Sequence, residues 1–288
     1  MSTVQSLPSF EGLRVLSFES RRASEVESLI RTYGGRPVVV PALREVTLES
    51  NAAALDFVTR LLQDEFDITI FLTGVGTREL FTIAQQTHSR DAIVAALSRT
   101  KVVVRGPKPL AVLRELRVPV WAVAAEPNTW RELMVAIEAK SGERPIRGAR
   151  VAVQEYGVSN EEMMNALRDG GAIVTRVPVY RWALPEDLGP LKAAIAATAQ
   201  GEIDVVMFTT GVQLVHVWRI AQEMQLEGRL RGELARAVVG SIGPTTSEEL
   251  RRHGLSVDFE ASHPKFGVLI RELAERAADL LRAKRGDA

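Results

Sequence analysis

The segment Asp67-Ile-Thr-Ile-Phe-Leu-Thr-Gly-Val75 recurs 137 positions later as Asp204-Val-Val-Met-Phe-Thr-Thr-Gly-Val212, with Asp, Phe, the second Thr, Gly and Val in register. Its neighbours recur with it. Gly12-Leu-Arg-Val15 answers to Gly148-Ala-Arg-Val151, and Gly34-Gly35 to Gly170-Gly171, both at an offset of 136. Gly106-Pro107 answers to Gly243-Pro244, Leu113 to Leu250 and Pro127 to Pro264, all at 137. Matches in one order with a single one-residue slip mark a duplicated unit of roughly 130 residues, the size of an ordinary domain. A chain of 288 residues built this way is two similar domains.

Each copy alternates apolar runs with helical periodicity. Leu13–Phe18 reads as a strand, and a helix follows with Ala23, Val26, Ile30 and Tyr33 on one face. Gly34-Gly35 ends that helix, and Arg36–Pro41 is the next strand. The Asp67 strand opens into Thr73-Gly74-Val75-Gly76-Thr77, with a helix expected from near Arg78. Lys101–Arg105 closes on Gly106-Pro107-Lys108. Ser141–Gly148 is the polar seam between copies. In the second copy, capping boxes are expected at Ser159 with Glu162 and at Thr245 with Glu248. Ile173–Trp182 reads as one strand carrying Tyr180, and Ile270, Leu273, Ala277 and Leu280 stripe one last helix. Strands alternating with helices mean parallel sheets covered on both faces. Taken alone, the repeat makes each copy one flavodoxin-like unit, with two units facing each other across a cleft.

Composition narrows the function. Lys plus Arg and Asp plus Glu are equal at 36 each, so no long-range field favours nucleic acid or an anionic membrane. The apolar runs are strand-sized, far below the ~20 residues of a spanning helix. The first residues have no basic-then-apolar signal pattern. Cysteine is absent, which excludes disulfides and thiolate chemistry. A soluble cytoplasmic protein is the expectation. No phosphate-binding or dinucleotide fingerprint follows a strand, and His88, His216, His253 and His263 have no ligand spacing.

What remains is a set of strand-end turns: Thr73, Gly74, Val75 and Thr77; Thr209, Thr210, Gly211 and Val212; Gly243, Thr245 and Thr246. At such positions backbone N–H groups and hydroxyls meet ligands in open α/β sheets, and they suit a carboxylate-bearing molecule. Each threonine taken singly reads equally as helix capping. Arg21, Arg22, Arg78, Lys108, Arg181 and Lys265 adjoin strand ends and offer cations, with solvated surface charge as the plainer reading. Tyr180, near a strand end, offers a phenol that is protonated at neutral pH and can donate. The residues alone favour an aromatic packed at a domain junction. Tyr156 has the same standing with less positional support.

The set Phe71-Leu-Thr-Gly-Val75, Val177-Pro-Val-Tyr180, Phe208-Thr-Thr-Gly-Val212 and Val239-Gly-Ser-Ile-Gly-Pro-Thr-Thr246 resembles the uroporphyrinogen-III synthase family, over about residues 13–281. The resemblance implies that strands are exchanged between copies. One domain would be residues 1–44 with 183–288, the other 45–182, joined by a two-stranded crossing. It implies closure of hydroxymethylbilane to uroporphyrinogen III, with inversion of ring D and loss of water, and with no metal or organic cofactor. Tyr180 would be the acid that helps the terminal hydroxyl leave. The turns, Thr245 and Thr246 foremost, would hold the substrate's carboxylates. Where the second copy has Gly243-Pro-Thr-Thr246 the first has Gly106-Pro-Lys-Pro109, which replaces two hydroxyls with the Lys108 cation. A monomer is expected, with no nucleic-acid or membrane partner and at most transient contact with hydroxymethylbilane synthase. A non-catalytic two-lobed binding protein for an anionic small molecule is the other reading of the same turns. A flavodoxin-like electron carrier ranks third.

Overall fold

The computed structural model describes residues 8–47, 51–155, 157 and 159–286. Tyr156 lies outside the described residues. In chain order the elements are β1 (Arg14–Ser17), α1 (Ala23–Thr32), β2 (Arg36–Val39), β3 (Arg44–Thr47), α2 (Ala52–Leu62), β4 (Ile68–Phe71), α3 (Gly74–Ala84), α4 (Arg90–Arg99), β5 (Lys101–Val104), α5 (Pro107–Glu115), β6 (Ala122–Val123) and α6 (Trp130–Glu138). The second copy continues with β7 (Arg150–Glu155), α7 (Glu161–Asp169), β8 (Ile173–Pro178), β9 (Tyr180–Ala183), α8 (Gly189–Ala199), β10 (Val205–Phe208), α9 (Gly211–Glu223), α10 (Glu227–Leu234), β11 (Val238–Ser241), α11 (Pro244–Arg252), β12 (Phe259–Glu260), α12 (Phe266–Ala274) and α13 (Ala277–Arg285).

The chain divides into two compact units, residues 1–44 with 183–288 and residues 45–182. The first holds a five-stranded sheet ordered β2-β1-β10-β11-β12, every pairing parallel. The second holds a five-stranded parallel sheet ordered β8-β7-β4-β5-β6. Both are the 2-1-3-4-5 order of a flavodoxin-like sheet. In each, however, strands one and two come from one copy of the repeat and strands three to five from the other. A copy is therefore not a unit, contrary to the plain reading of the duplication. A separate two-stranded sheet pairs β3 with β9.

The repeated aspartates explain how the exchange is anchored. Asp67, just before β4, accepts the Arg150 N–H at 2.8 Å, and Asp204, just before β10, accepts the Arg14 N–H at 2.8 Å. Each bond ties the third strand from one copy to the first strand from the other.

The period-2 alternation of side chains sorts each sheet into two cores. In the first unit Leu16, Val206, Phe208 and Val239 pack against α8, α9 and α10 through Leu191, Ile195, Leu214, Val217 and Leu230. Val15, Val205, Met207 and Val238 face α1 and α12 through Val26, Ile30, Leu269 and Leu273. In the second unit Phe71, Val102, Val104 and Ala152 meet α2 to α5, while Ile68, Ile70, Val103, Val151 and Val153 meet α6 and α7. The central strands are buried on both faces, hence their unbroken apolar text.

Several local expectations are corrected. The helix after β4 starts at Gly74 rather than near Arg78, because Thr73 caps it, accepting the Gly76 N–H at 3.1 Å. Ile173–Trp182 breaks after Pro178 into β8 and β9, which belong to different sheets. Asn160, not Ser159, caps α7, accepting the Met163 N–H at 2.9 Å, and the Ser159 hydroxyl turns to Glu155. Gly243 is the cap residue of α11, with Pro244 first in the helix, so Thr245 caps nothing. The final stripe is split between α12 and α13.

Candidate functional site

In a sheet of this order the strand sequence reverses between the first and third strands, and ligands bind beyond the strand ends at that point. The reversal falls between β1 and β10 in the first unit and between β7 and β4 in the second. The repeated Thr-Gly turns follow β10 and β4, so both stand at a reversal point.

In the second unit Thr73 leads into α3, and Val75 is exposed while Gly74 and Gly76 are buried. A Cβ on Gly74 would lie 2.9 Å from the Lys108 carbonyl oxygen, so only glycine lets this turn meet the one after β5. Gly74 and Lys108 are thus neighbours, and Lys108 is exposed. Thr77 is fully buried, its hydroxyl donating to the Thr73 carbonyl at 2.7 Å. That side chain supports the turn from within.

The amides of this turn are also engaged. Gln154, buried at the end of β7, accepts the N–H groups of Leu72 at 3.3 Å and Thr73 at 3.4 Å. Its amide nitrogen donates to the Glu155 carbonyl at 2.6 Å. Glu155 itself is buried and paired with Arg176 at 3.1 Å. Beyond it Gly157, at φ +62°, donates its N–H to the Tyr180 carbonyl at 3.2 Å. The end of β7 therefore holds both the Thr73 turn and the backbone of Tyr180.

The Tyr180 ring is 6% exposed and meets Trp182 edge-on, with centroids 5.5 Å apart and planes at 89°. It belongs to the core over α2 and α3. A Cβ on Gly157 would lie 1.8 Å from Trp182 Cδ1, so the indole fills the space that glycine leaves.

The first unit repeats the turn with different parts. Gln213, in the first turn of α9, accepts the N–H groups of Thr209 at 2.8 Å and Thr210 at 3.3 Å. Its amide nitrogen donates to the Phe18 carbonyl and to Thr209 Oγ1, each at 3.0 Å. The Thr209 hydroxyl donates to Glu19 at 3.5 Å. Glu19 also accepts the Arg21 N–H at 3.2 Å. Gly211 abuts α11, since a Cβ there would lie 2.6 Å from Glu249 Cγ. Val212 is half-buried beside it.

In the turn after β11, Ser241 donates to the Gly243 carbonyl at 3.0 Å, and the Thr246 N–H reaches that carbonyl at 3.1 Å. Gly243 and Thr246 are buried and Thr245 is exposed. Of the cations expected to meet anions, Arg22 pairs with Glu25 at 2.5 Å and Arg78 with Glu115 at 2.8 Å.

The turn amides expected to await a ligand are thus largely taken up internally. What the turns retain is the first-turn N–H groups of Gly74, Val75, Gly211 and Val212, which have no intrahelical acceptor, at the positive ends of α3 and α9. Gln154, Gln213 and Glu19 escaped the sequence reading. Gln213 had a signal, since Thr210-x-x-Gln213 has capping-box spacing.

Two doubly wound parallel units, each with a Thr-Gly turn at its reversal point, define a duplicated flavodoxin-like fold. The family description "Uroporphyrinogen-III synthase HemD" matches residues 24–271. The chain belongs to the uroporphyrinogen-III synthase family. It is 28% identical over 265 residues to the uncharacterised protein YjjA of Bacillus subtilis, covering 92% of this chain and 96% of that one. It is 30% identical over 240 residues to a Methanothermobacter thermautotrophicus protein provisionally named a uroporphyrinogen-III synthase, covering 82% and 87%. The crystal structure of a mutant uroporphyrinogen III synthase from Thermus thermophilus superposes with a TM-score of 0.71 at 25% identity, over 93% of this chain and 99% of that one. The Helicobacter pylori enzyme shares the fold at 12% identity, with a TM-score of 0.50 over 91% and 98%. Among the described residues no helix is long and apolar enough to cross a membrane.

Proposed function

We propose that this protein is a working uroporphyrinogen-III synthase, closing hydroxymethylbilane to uroporphyrinogen III with inversion of ring D and loss of water. The observation that carries the reading is the family match across residues 24–271, which spans the turns at both reversal points. Carboxylates of the substrate would meet the positive helix ends at Gly74-Val75 and Gly211-Val212, with the exposed Lys108 and Thr245 nearby in their own units. Holding a flexible linear tetrapyrrole folded is mainly positioning, which several weak, fixed contacts accomplish.

Loss of the terminal hydroxyl as water needs a proton, and a phenol is a donor at neutral pH. Tyr180 is our choice for that donor, its backbone fixed at the end of β7 beside the Thr73 turn. Tyr180→Phe keeps the ring that packs on Trp182. It is expected to lower kcat about a hundredfold, within the range of general acid catalysis, with little change in thermal midpoint. An unchanged kcat would remove Tyr180 from the mechanism.

The reading as a whole is tested by adding the protein to freshly generated hydroxymethylbilane and resolving the porphyrin isomers. Unaided closure leaves ring D uninverted and gives the type I isomer, so a predominance of type III supports the synthase. Type I alone, from a folded sample, would sink it and favour a binding role for the same turns.

A further inference from the structure

The two reversal points solve one problem with exchanged parts. After β4 the turn residues are Leu72 and Thr73, and their repeat equivalents after β10 are Thr209 and Thr210. In both places a glutamine carboxamide oxygen takes the two successive N–H groups, and its nitrogen reaches a carbonyl at the end of the sheet's first strand. The two glutamines are not repeat equivalents. Gln154 lies on the strand, where the other copy has Phe18, and Gln213 lies on the helix, where the other copy has Gly76.

The remaining members of the four fit this exchange. A Cβ on Gly76 would lie 2.1 Å from Gln154 Nε2 and 2.7 Å from its Cδ, so a side chain at the helix position and the strand glutamine compete for one space. Phe18 instead packs on Phe208, with ring centroids 5.4 Å apart, and Phe208 is the repeat equivalent of Phe71. The same site is thus filled either by strand glutamine with helix glycine or by strand phenylalanine with helix glutamine.

We propose that Gln154 and Gln213 are equivalent positioning residues, each fixing a substrate-binding turn, and that 154 with 76 and 18 with 213 are interchangeable pairs. The part concerning substrate rests on the synthase reading; the part concerning the turns does not. Holding Leu72 and Thr73, or Thr209 and Thr210, from behind aims the next two amides, Gly74-Val75 or Gly211-Val212, outward from the helix end.

The test is a cycle in the full-length protein: Gln154→Phe, Gly76→Gln and the two together, with Gln213→Ala as a milder variant. Amide hydrogen exchange is read at Leu72, Thr73, Thr209 and Thr210. Gln154→Phe is expected to speed exchange at Leu72 and Thr73 by about tenfold or more, the equivalent of one lost hydrogen bond. Gly76→Gln alone is expected to lower the thermal midpoint through its clash with Gln154. The double variant should recover both protection and midpoint. Gln213→Ala should speed exchange at Thr209 and Thr210 alone and raise KM for hydroxymethylbilane with kcat largely kept. A double variant no better than its worse parent, or turn amides indifferent to either glutamine, would overturn the pairing. Faster exchange with KM unmoved would overturn the positioning role. Exchange needs no substrate, so a wild-type protein that makes no type III isomer defeats the synthase reading while the amide data still decide the glutamines.

Discussion

Asp67 is the residue on which the join between copies most visibly depends in the second unit. Burial pushes its carboxyl up, but hydrogen bonds from the Arg150 guanidinium and backbone, with the charges of Arg144 and Arg150, outweigh that and hold it below its ordinary value of 3.8. A carboxyl lowered on folding contributes stability that is present above its unfolded value and lost as pH falls through the folded one. Asp67→Asn is therefore expected to cost about 1.5–3 kcal/mol near neutral pH, the range for a charge-assisted hydrogen bond. In urea unfolding its deficit against wild type should shrink below about pH 4. A deficit that stays constant into acid would mean the charge is unimportant. At Gly157, alanine would combine a left-handed backbone with a clash on Trp182, an expected loss of about 2 kcal/mol or more, read from the thermal midpoint. The repeat made Asp67 and Asp204 visible but gave them no task, because their partners, the N–H groups of Arg150 and Arg14, are distant in sequence. Gln154 reads only as a polar residue at the end of an apolar strand, and nothing local says which amides it meets.

At the scale of elements, alternation and period placed the strands at residues 13–18 and 36–41, after Asp67 and at 101–105, and the helix through 23–33, since buried parallel strands and amphipathic helices write distinct patterns. The errors lie where a tertiary partner decides. Glycines at 74 and 76 read as loop by propensity, yet in the first turn they are tolerated, and close approach of Lys108 and Gln154 requires them. β8 and β9 read as one continuous strand, and the two-stranded sheet in which β9 pairs with β3 separates them. Neither capping box expected from the sequence forms, yet α6 carries an unexpected one. Thr129 and Glu132 form a capping box on α6, with the Thr129 N–H donating to Glu132 at 2.8 Å. Thr129→Ala should cost about 1 kcal/mol in chemical unfolding. No measurable change would show that tertiary packing, not the cap, sets that helix end.

At the scale of the whole molecule, the duplication announces two like units but not which segments build them. Every strand-helix signal is the same whether a copy folds on itself or trades its first two strands. Sheet order alone records the trade, with β1 beside β10 and β7 beside β4. Each reversal-point turn is then completed by residues of both copies: Gln154 on the Thr73 turn, and Phe18 with Glu19 on the Thr209 turn. The most direct test of this exchange compares two excised fragments of similar length by cooperative unfolding and amide protection. One spans residues 45–182, a spatial unit, and the other residues 8–147, a sequence copy. Exchange predicts that the first unfolds cooperatively. The second should not, because β4 would lack β7 and β1 would lack β10, leaving buried strand edges unpaired. A cooperatively folded copy beside an unfolded 45–182 fragment would contradict it.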